Sequence, residues 1–566
     1  MGSKFEITEY FTDRQIIKIL CKKRALAAKK SHDNHFLRNI STSAKNPNVP
    51  SKNIIHTFFP PRRDWIRAKK LERLKRNANA VELNAILLER TVFRAMKEFK
   101  NNMQGSPKWL LSITDLVKDI QCSALNEMSE YVIPKPIVIP VLKDLKKKEY
   151  RPICLFGLKD LVIISQVAKY LPNCFDQLFL PCSYAFRTGV NSPKKFNHHQ
   201  AVRDIIEFNN EAVIHYVAEC DIKKFYDCVS HSEIKYRMDQ FIVRAQIELG
   251  ITISERSKYL FSSYLACFSF NLDVAQKKST LLKNAGVKSG SMPWASKEEF
   301  ESINIDINEQ KIGVPQGGAL SCLIANLILD YVDRQVLAKN DTKLFYARFC
   351  DDMVLIHSDL DLCNSAFDVY RKSLREVKLI CHEPEELKEY NSNFWKIKSK
   401  FPYKWDEYEN SIEKKANVPW LSFVGYQVRW DNLVRIRKTS IEKELKKQVD
   451  ETNKIFSVLG RSRKSRVNRK AVVFRLQQRL ISMSVGRIQH NNSRLSMCWS
   501  AGFNVAKDNK NIKAQFIKLD RNRERQIKRM YRFVSKIDHV VKTSKHKVRR
   551  LKYYGKRFSY SSQFNQ

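Results

Sequence analysis

An α+β fold is predicted for this chain of 566 residues, and three observations predict it. Short apolar runs rich in aromatic and β-branched residues bracket polar pairs or glycine turns, the pattern of strands joined as hairpins. Longer stretches place apolar residues near a spacing of 3.6, the pattern of helices with one buried face. The two flanks are basic and helical by that test, whereas the centre mixes both patterns.

Length allows about two to four domains, and an apolar share of 43% is ample for a packed core. The net charge is +43, unevenly spread: residues 1–100 carry +14 and residues 431–566 carry +27, which leaves +2 for the centre. Blocks such as 461–470, 521–529 and 542–557 put Lys and Arg together, the last with aromatic residues among them. That favours a polyanionic partner, nucleic acid ahead of an anionic membrane. The 13 cysteines include no CxxC pair and no regular Cys/His spacing, which points to reduced thiols and away from structural zinc. No run of about 18 apolar residues occurs, so no membrane span is expected. The start MGSKFEITEY has no signal-peptide pattern, and Glu6 stands where a myristoylation site needs Ser or Thr. A cytoplasmic location is expected.

Residues 1–130 read as a basic helical extension, with a linker at 41–53 and a helix from Asp64 as N-cap to about residue 102. Residues 131–220 mix strand-like runs with prolines. Pro152 biases Arg151 toward an extended backbone that turns its side chain outward, and Arg187 precedes a glycine turn in SYAFRTG. Alone, either arginine is more often a surface residue than a phosphate ligand. The run VIHYVAECD ends at Asp221, followed by Phe225-Tyr226. Asp221 suits a strand end and also a helix N-cap. Residues 235–311 are polar and rich in Ser and Lys, an insertion or a long loop with no legible function. Pro315-Gln316-Gly317-Gly318 forms a tight turn before an amphipathic helix lined by Leu320, Leu323, Ile324, Leu327, Ile328 and Tyr331.

The centre of the pattern is KLFYARFC-DD-MVLIHSD, two strand-like runs with Asp351 and Asp352 between them. A hairpin with acids at its turn is predicted, and core packing does not explain them, since burying each would cost several kcal/mol without compensation. Divalent metal is one compensation; an exposed turn is the other reading. With Asp221 from a separate strand, two magnesium ions about 4 Å apart could be bridged. One would activate a hydroxyl and the other would hold a triphosphate. Arg151 and Arg187 could add cations, and the Tyr226 ring could sit against a sugar and exclude a 2′-hydroxyl. A strand at 421–432 with Gly425 inside it marks a close approach or a bulge.

SYAFR, AECDIKKFYD, GVPQGGALSCLIANLILDYVD, YARFCDDMVLI and LSFVGY occur in this order. Together they resemble the successive sequence blocks of reverse transcriptases, nearest to the bacterial group II intron-like, retron and defence-associated lineages, over about 131–430. The resemblance implies a right-hand polymerase: fingers at 131–220, a palm at 221–430 with the insertion inside it, and a basic helical thumb and RNA-binding region at 431–566. It implies Asp221, Asp351 and Asp352 as catalytic and metal-binding acids, for two Mg²⁺ ions that Mn²⁺ can replace. It implies Arg151, Arg187, Tyr226, Gln316 and Gly317 at the nucleotide, with Tyr226 as sugar gate, and Phe423, Val424, Gly425 and Tyr426 as primer grip. The implied partners are an RNA template or non-coding RNA, dNTPs and a DNA product; a homo-oligomer is compatible and a membrane is not implied.

Two departures matter. Cys350 replaces the usual small Ala of the acid turn. After residue 430 no HNH-type His/Asn/Cys cluster follows, which tilts the reading from a mobile-intron protein to a stand-alone defence polymerase with a bound RNA. A maturase-like RNA-binding role and template-independent or protein-primed synthesis stay as alternatives. Tyr553, Tyr554 and Tyr560 are the candidate priming hydroxyls.

Overall fold

The computed structural model describes residues 5–40, 54–68, 80–100, 105–386 with short gaps (145, 190, 191, 193, 195, 210–213 and 340), 394–406, 420–460, scattered positions over 473–483, and 510–539. The basic blocks 461–470 and 542–557 and the tyrosines 553, 554 and 560 lie outside the described residues. Two compact units form. One comprises Met1–Ile16, Leu116–Val424 and Val428–Asn432; the other comprises Ile17–Asp115, Gly425–Gln427 and Leu433–Gln566.

In the first unit, β1 (Ile137–Asp144) and β2 (Glu149–Leu155) form an antiparallel hairpin. Four further strands make one antiparallel sheet in the order β4-β5-β3-β6: β3 (His215–Asp221), β4 (Phe345–Phe349), β5 (Asp352–His357) and β6 (Lys400–Trp405). The apolar runs of β3 and β5 are buried almost throughout, which is why they read as continuous rather than alternating patterns. Glu219 is tolerated inside β3 because Lys400 Nζ and Tyr403 Oη donate to its carboxylate at 3.0 and 2.7 Å.

Helices α1 (Phe225–Cys228), α2 (Ser321–Val336) and α3 (Leu360–Glu376) follow the chain around this sheet. Helix α3 packs on β3, β5 and β6, and α2 packs on α3. Of the predicted apolar stripe of α2, Leu320, Leu323, Ile324, Leu327 and Ile328 are buried and Tyr331 is half-buried, but Asn326, Asp330 and Asp333 are buried as well. Arg348 of β4, wholly buried, explains the last of these: its guanidinium donates to both Asp333 oxygens, at 2.8 and 2.7 Å.

The segment 235–311 is not a loop. It folds as helices at His231–Leu249, Glu255–Ala266, Lys278–Asn284 and Lys297–Glu301. Its end closes over a cluster of Ala295, Phe300, Ile303, Ile305 and Ile312 with Cys228. A Ser296/Glu299 capping box starts the last of these helices. The polar composition misled because the many apolar residues the segment buries, Phe241, Leu260, Phe261, Tyr264 and Phe270 among them, are broken up by polar stretches.

In the second unit, Asp64 does not cap a helix. It closes a short 3-10 turn, Arg62–Asp64, and the helix runs instead over Ala80–Glu98. Trp65 takes the backbone out of the helical path, with its indole N–H on Pro60 O at 3.0 Å. Helix α4 (Lys438–Gly460) fulfils the helix expected from residue 436, and α5 (Lys510–His539) follows. They meet over Ile455, Leu476, Leu480, Ile527 and Met530.

Candidate active site

Asp221 is the last residue of β3 and Asp352 the first of β5, and the antiparallel register sets them directly opposite each other. Asp351 occupies the two-residue turn between β4 and β5. Three acids separated by 130 positions in the chain are thus brought to one edge of one sheet. The Asp351 carboxyl is raised from its usual range, by burial first and by the Asp221 charge beside it. One cation answers Asp221: Lys398 Nζ forms an ion pair with its Oδ2, and the His382 ring stands by, with Nε2 3.8 Å away. Lys398 and His382 are themselves 3.0 Å apart, and burial together with Lys398 lowers the pKa of His382. The backbone holds Asp221 on both sides, its N–H on Ser399 Oγ at 3.1 Å and its carbonyl accepting from His382 N–H at 3.0 Å.

Cys350 is the first turn residue and has φ +60°, a left-handed conformation where glycine is usual in such two-residue turns. Its thiol lies 3.2 Å from Tyr226 Oη. The phenol of Tyr226 is kept protonated by burial first and by Cys350 next. The aromatic ring following Asp221 is therefore tied to the acid turn.

Gln316 faces the same region from the turn before α2. Its Nε2 donates to Asp227 Oδ1 at 2.5 Å, and its carbonyl accepts from Cys154 N–H of β2 at 2.9 Å. Gly317 has φ +100°, so glycine is required there by the backbone, while a Cβ would make only an ordinary contact, 3.5 Å from Cys154 O. Arg151 is exposed on β2 and close enough to Asp227 to lower its pKa.

Arg187 does not join them. Its side chain is 4% exposed and paired with Asp176, 2% exposed, with Nε on Oδ1 at 3.0 Å. Its remaining donors go to the carbonyls of Asp176, Leu180 and Ser183 at 2.7–3.2 Å, and the guanidinium covers the Phe196 ring at 4.1 Å. Every nitrogen is engaged, so the expectation of a phosphate ligand is corrected: Arg187 staples the SYAFR loop. That loop in turn is bonded to β4, through Arg348 N–H on Cys182 O at 2.8 Å and Tyr184 N–H on Arg348 O at 2.9 Å.

The expected primer-grip residues lie at a hairpin. Strands β7 (Trp420–Phe423) and β8 (Tyr426–Arg429) flank Val424 and Gly425, with φ +43° and +88°. Phe423 is buried, and its strand lies against β5. A β-branched residue at positive φ is a rare, strained choice.

Sequence reasoning missed Asp227, Lys398 and His382. Asp227 stands in the same FYD run as Tyr226, and a second acid within an apolar run was the available signal. Lys398 and His382 carried none, since only folding sets them beside Asp221.

Among the described residues no three His, Cys, Asp or Glu side chains converge closely enough to chelate one ion. The donor set fits hard divalent cations all the same: carboxylate oxygens on separate segments, one carboxyl resisting ionisation, and a lysine ammonium neutralising another. Magnesium in particular is held through one or two carboxylates plus substrate phosphates rather than by an all-protein cage. No described helix is long and apolar enough to cross a membrane.

Residues 133–384 match the family model of reverse transcriptase (RNA-dependent DNA polymerase). A telomerase reverse transcriptase of Oryza sativa subsp. japonica is 26% identical over 179 residues, covering 26% of this chain and 14% of that protein. The chain thus spans about a seventh of that curated relative's length in the match. Among solved structures, telomerase from Candida albicans, in complex with a TWJ fragment of telomeric RNA, aligns with 85% of this chain and 76% of its own, at 11% identity and a TM-score of 0.32. Apo telomerase from Candida tropicalis aligns with 85% of this chain and 80% of its own, at 10% identity and the same TM-score of 0.32.

Proposed function

We propose that the protein is an RNA-directed DNA polymerase whose active site is the sheet edge bearing Asp221, Asp351 and Asp352. The observation that carries this reading is the Asp221–Asp352 register with Asp351 in the adjoining turn, inside the stretch that matches the reverse transcriptase model. Asp221, Asp351 and Asp352 would hold two Mg²⁺ ions. When bound, these supply Lewis-acid activation of the primer hydroxyl and charge stabilisation at the leaving pyrophosphate. The chain's own groups place the reactants, which is most of what phosphoryl transfer asks of a protein. Arg151, exposed on β2, meets the triphosphate. Gln316 and Gly317 form the floor under the nucleotide. Tyr226 stands at the sugar, where its ring selects against a 2′-hydroxyl. Phe423, Gly425 and Tyr426 grip the primer. Lys398, paired with Asp221, would give up that carboxylate to a divalent ion.

The partner is RNA, with DNA as product. Helix α5 supports this: Arg521, Arg525, Lys528, Arg529 and Arg532 line one groove along it, with Arg523, Ile527 and Met530 buried beneath. A row of cations with a single Glu524 among them suits a phosphate backbone. In domain terms, residues 131–220 act as fingers, 221–430 as palm and 431–566 as thumb and RNA-binding region. The finer setting is a defence enzyme with its own non-coding RNA, which follows the likeness of the sequence blocks to the bacterial defence-associated lineages.

The test is primer extension by purified protein with an RNA template, dNTPs and Mg²⁺, with sequencing of the RNA that co-purifies. Incorporation abolished in Asp352→Ala supports the polymerase; incorporation equal to wild type in that variant overturns it. A short RNA from the neighbouring locus supports the defence setting, and a group II intron RNA refutes it.

A further inference from the structure

Asp227 carries no role in the reading above, yet the structure spends much on it. It is 5% exposed, and its carboxylate takes the Gln316 amide N–H at 2.5 Å. Its carbonyl accepts the Trp294 indole N–H at 2.8 Å. The neighbouring bonds run the same way. Val314 N–H donates to Tyr226 O and Gly313 N–H to Val229 O, both at 2.8 Å, and His231 Nε2 lies 2.8 Å from Gly313 O. A Cβ on Gly313 would come within 2.9 Å of Asp227 O, so α1 and the turn before α2 are in backbone contact.

We propose that Asp227 is a positioning residue for the incoming nucleotide: it fixes the Gln316 carboxamide at the floor of the site, and Trp294 of the 235–311 segment holds Asp227 for that task. The inference rests on the polymerase reading. An amide is planar, so committing Nε2 to a buried carboxylate also sets where Oε1 points. The Gln316 carbonyl is bonded to Cys154 N–H, three residues along β2 from Arg151. That main-chain bond sets the register between the floor and the strand that carries Arg151, and the Asp227 carboxylate fixes the carboxamide of the same residue. The segment 235–311 supports both parts. Trp294 reaches Asp227, Ser291 pairs with Lys148 and Tyr150 at 3.0 and 2.8 Å, and Lys223 pairs with Glu299. A Cβ on Gly290 would strike the Tyr150 ring at 2.6 Å.

Burial pushes the Asp227 carboxyl up to about 6, against the opposing pull of Gln316, Lys224, Arg151 and Lys143. A folded-state value above the unfolded one gives stability at low pH that is lost as pH rises through about 6. Ionised Asp227 at neutral pH is thus kept against the interest of the fold, as a functional placement would be.

The experiment is steady-state dNTP incorporation by the full chain with Asp227→Ala, Gln316→Ala, the double variant, Asp227→Asn and Trp294→Phe, with the melting temperature of each. Asp227→Ala is expected to raise the KM for dNTP about tenfold and to lower kcat far less, a change of ~1.4 kcal/mol in binding. The double variant should match Gln316→Ala alone, because both remove one interaction. Asp227→Asn can still accept the amide N–H, so its KM should return to within about threefold of wild type at pH 8. Wild-type KM should rise as pH falls through about 6, and Asp227→Asn should flatten that limb. Trp294→Phe should raise KM about threefold. Additive losses in the double variant, or a pH limb retained in Asp227→Asn, overturn the positioning role. If Asp227→Ala fails to fold, the Asn variant and its pH profile decide alone. A wild-type protein that incorporates nothing overturns the polymerase reading and this inference with it; incorporation with KM unmoved in Asp227→Ala overturns only the latter.

Discussion

Replacing Arg187 by Ala separates two roles that the same residue was open to. As a nucleotide ligand, its loss would raise the KM for dNTP and leave the fold alone. As a staple, its loss would leave Asp176 buried without its cation. The structure favours the second: both side chains are at most 4% exposed, and Asp176 also accepts from the N–H groups of Thr188 and Gly189 at 2.9 and 3.0 Å. Breaking a buried pair by removing one partner costs about 3–5 kcal/mol. Contact with the Phe196 ring adds roughly 0.5–2 kcal/mol. For a unit the size of Leu116–Val424 each kcal/mol lowers Tm by about 1.5 °C, so Arg187→Ala should melt roughly 5–10 °C early in differential scanning calorimetry. Arg187→Lys should fall between, since it keeps the charge and loses the fork that serves three carbonyls. Measured below both transitions, the KM for dNTP of Arg187→Ala should stay within about twofold of wild type. An unchanged Tm with a KM raised tenfold would refute the staple and restore the arginine to the nucleotide.

Other expectations follow from the same geometry. Asp351→Asn should abolish incorporation while raising Tm above pH 7, because the raised carboxyl of Asp351 gives stability only at low pH; a lowered Tm at pH 8 would contradict this. Cys350→Ala removes the contact to Tyr226 Oη and should weaken discrimination against ribonucleotides by about threefold, a weak hydrogen bond's worth, with Cys350→Ser restoring it; the ratio of kcat/KM for dNTP and rNTP reads this. Replacing Arg525, Lys528 and Arg529 together by Ala should reduce the slope of log K against log salt for single-stranded RNA by about 2, and an unchanged slope in a filter-binding titration would place the RNA elsewhere.

The strands were legible where both faces are buried. VIHYVAECD and the two halves of the acid hairpin appear as apolar runs in the sequence because no face of β3 or β5 meets water. Helix α2 was legible for the same reason. The insertion was not, because its buried apolar residues, Phe261, Phe270 and Phe300 among them, are interrupted by polar stretches, and a helix without a continuous stripe looks like a loop. Residues 17–115 read as part of one N-terminal extension, whereas the structure groups them with the second unit and leaves residues 1–16 and 116–130 in the first; packing partners far along the chain leave no local mark. Pairings such as Gln316 with Asp227 and Lys398 with Asp221 are of that kind too. The arginines show the limit most clearly. Pro152 and the glycine after Arg187 gave both the same signature, and only the position of Asp176 distinguishes them.

Cys350 shows how one departure from a motif can be consistent with its surroundings. The turn between β4 and β5 has two residues, and its first needs a positive φ. Any residue with a Cβ bears that strain, roughly 1 kcal/mol, so replacing Ala by Cys adds none. What Cys adds is reach: the thiol meets the Tyr226 hydroxyl, and Tyr226 is the residue just before Asp227. The acid turn, the Tyr226 ring and the Asp227 carboxylate are thereby linked in one short path, Cys350 to Tyr226 to Asp227 to Gln316. A glycine at 350 would relieve the turn and cut that path. Cysteine at 350 stands where glycine would be cheaper to fold, and its thiol contact to the Tyr226 hydroxyl is what the side chain gives in return.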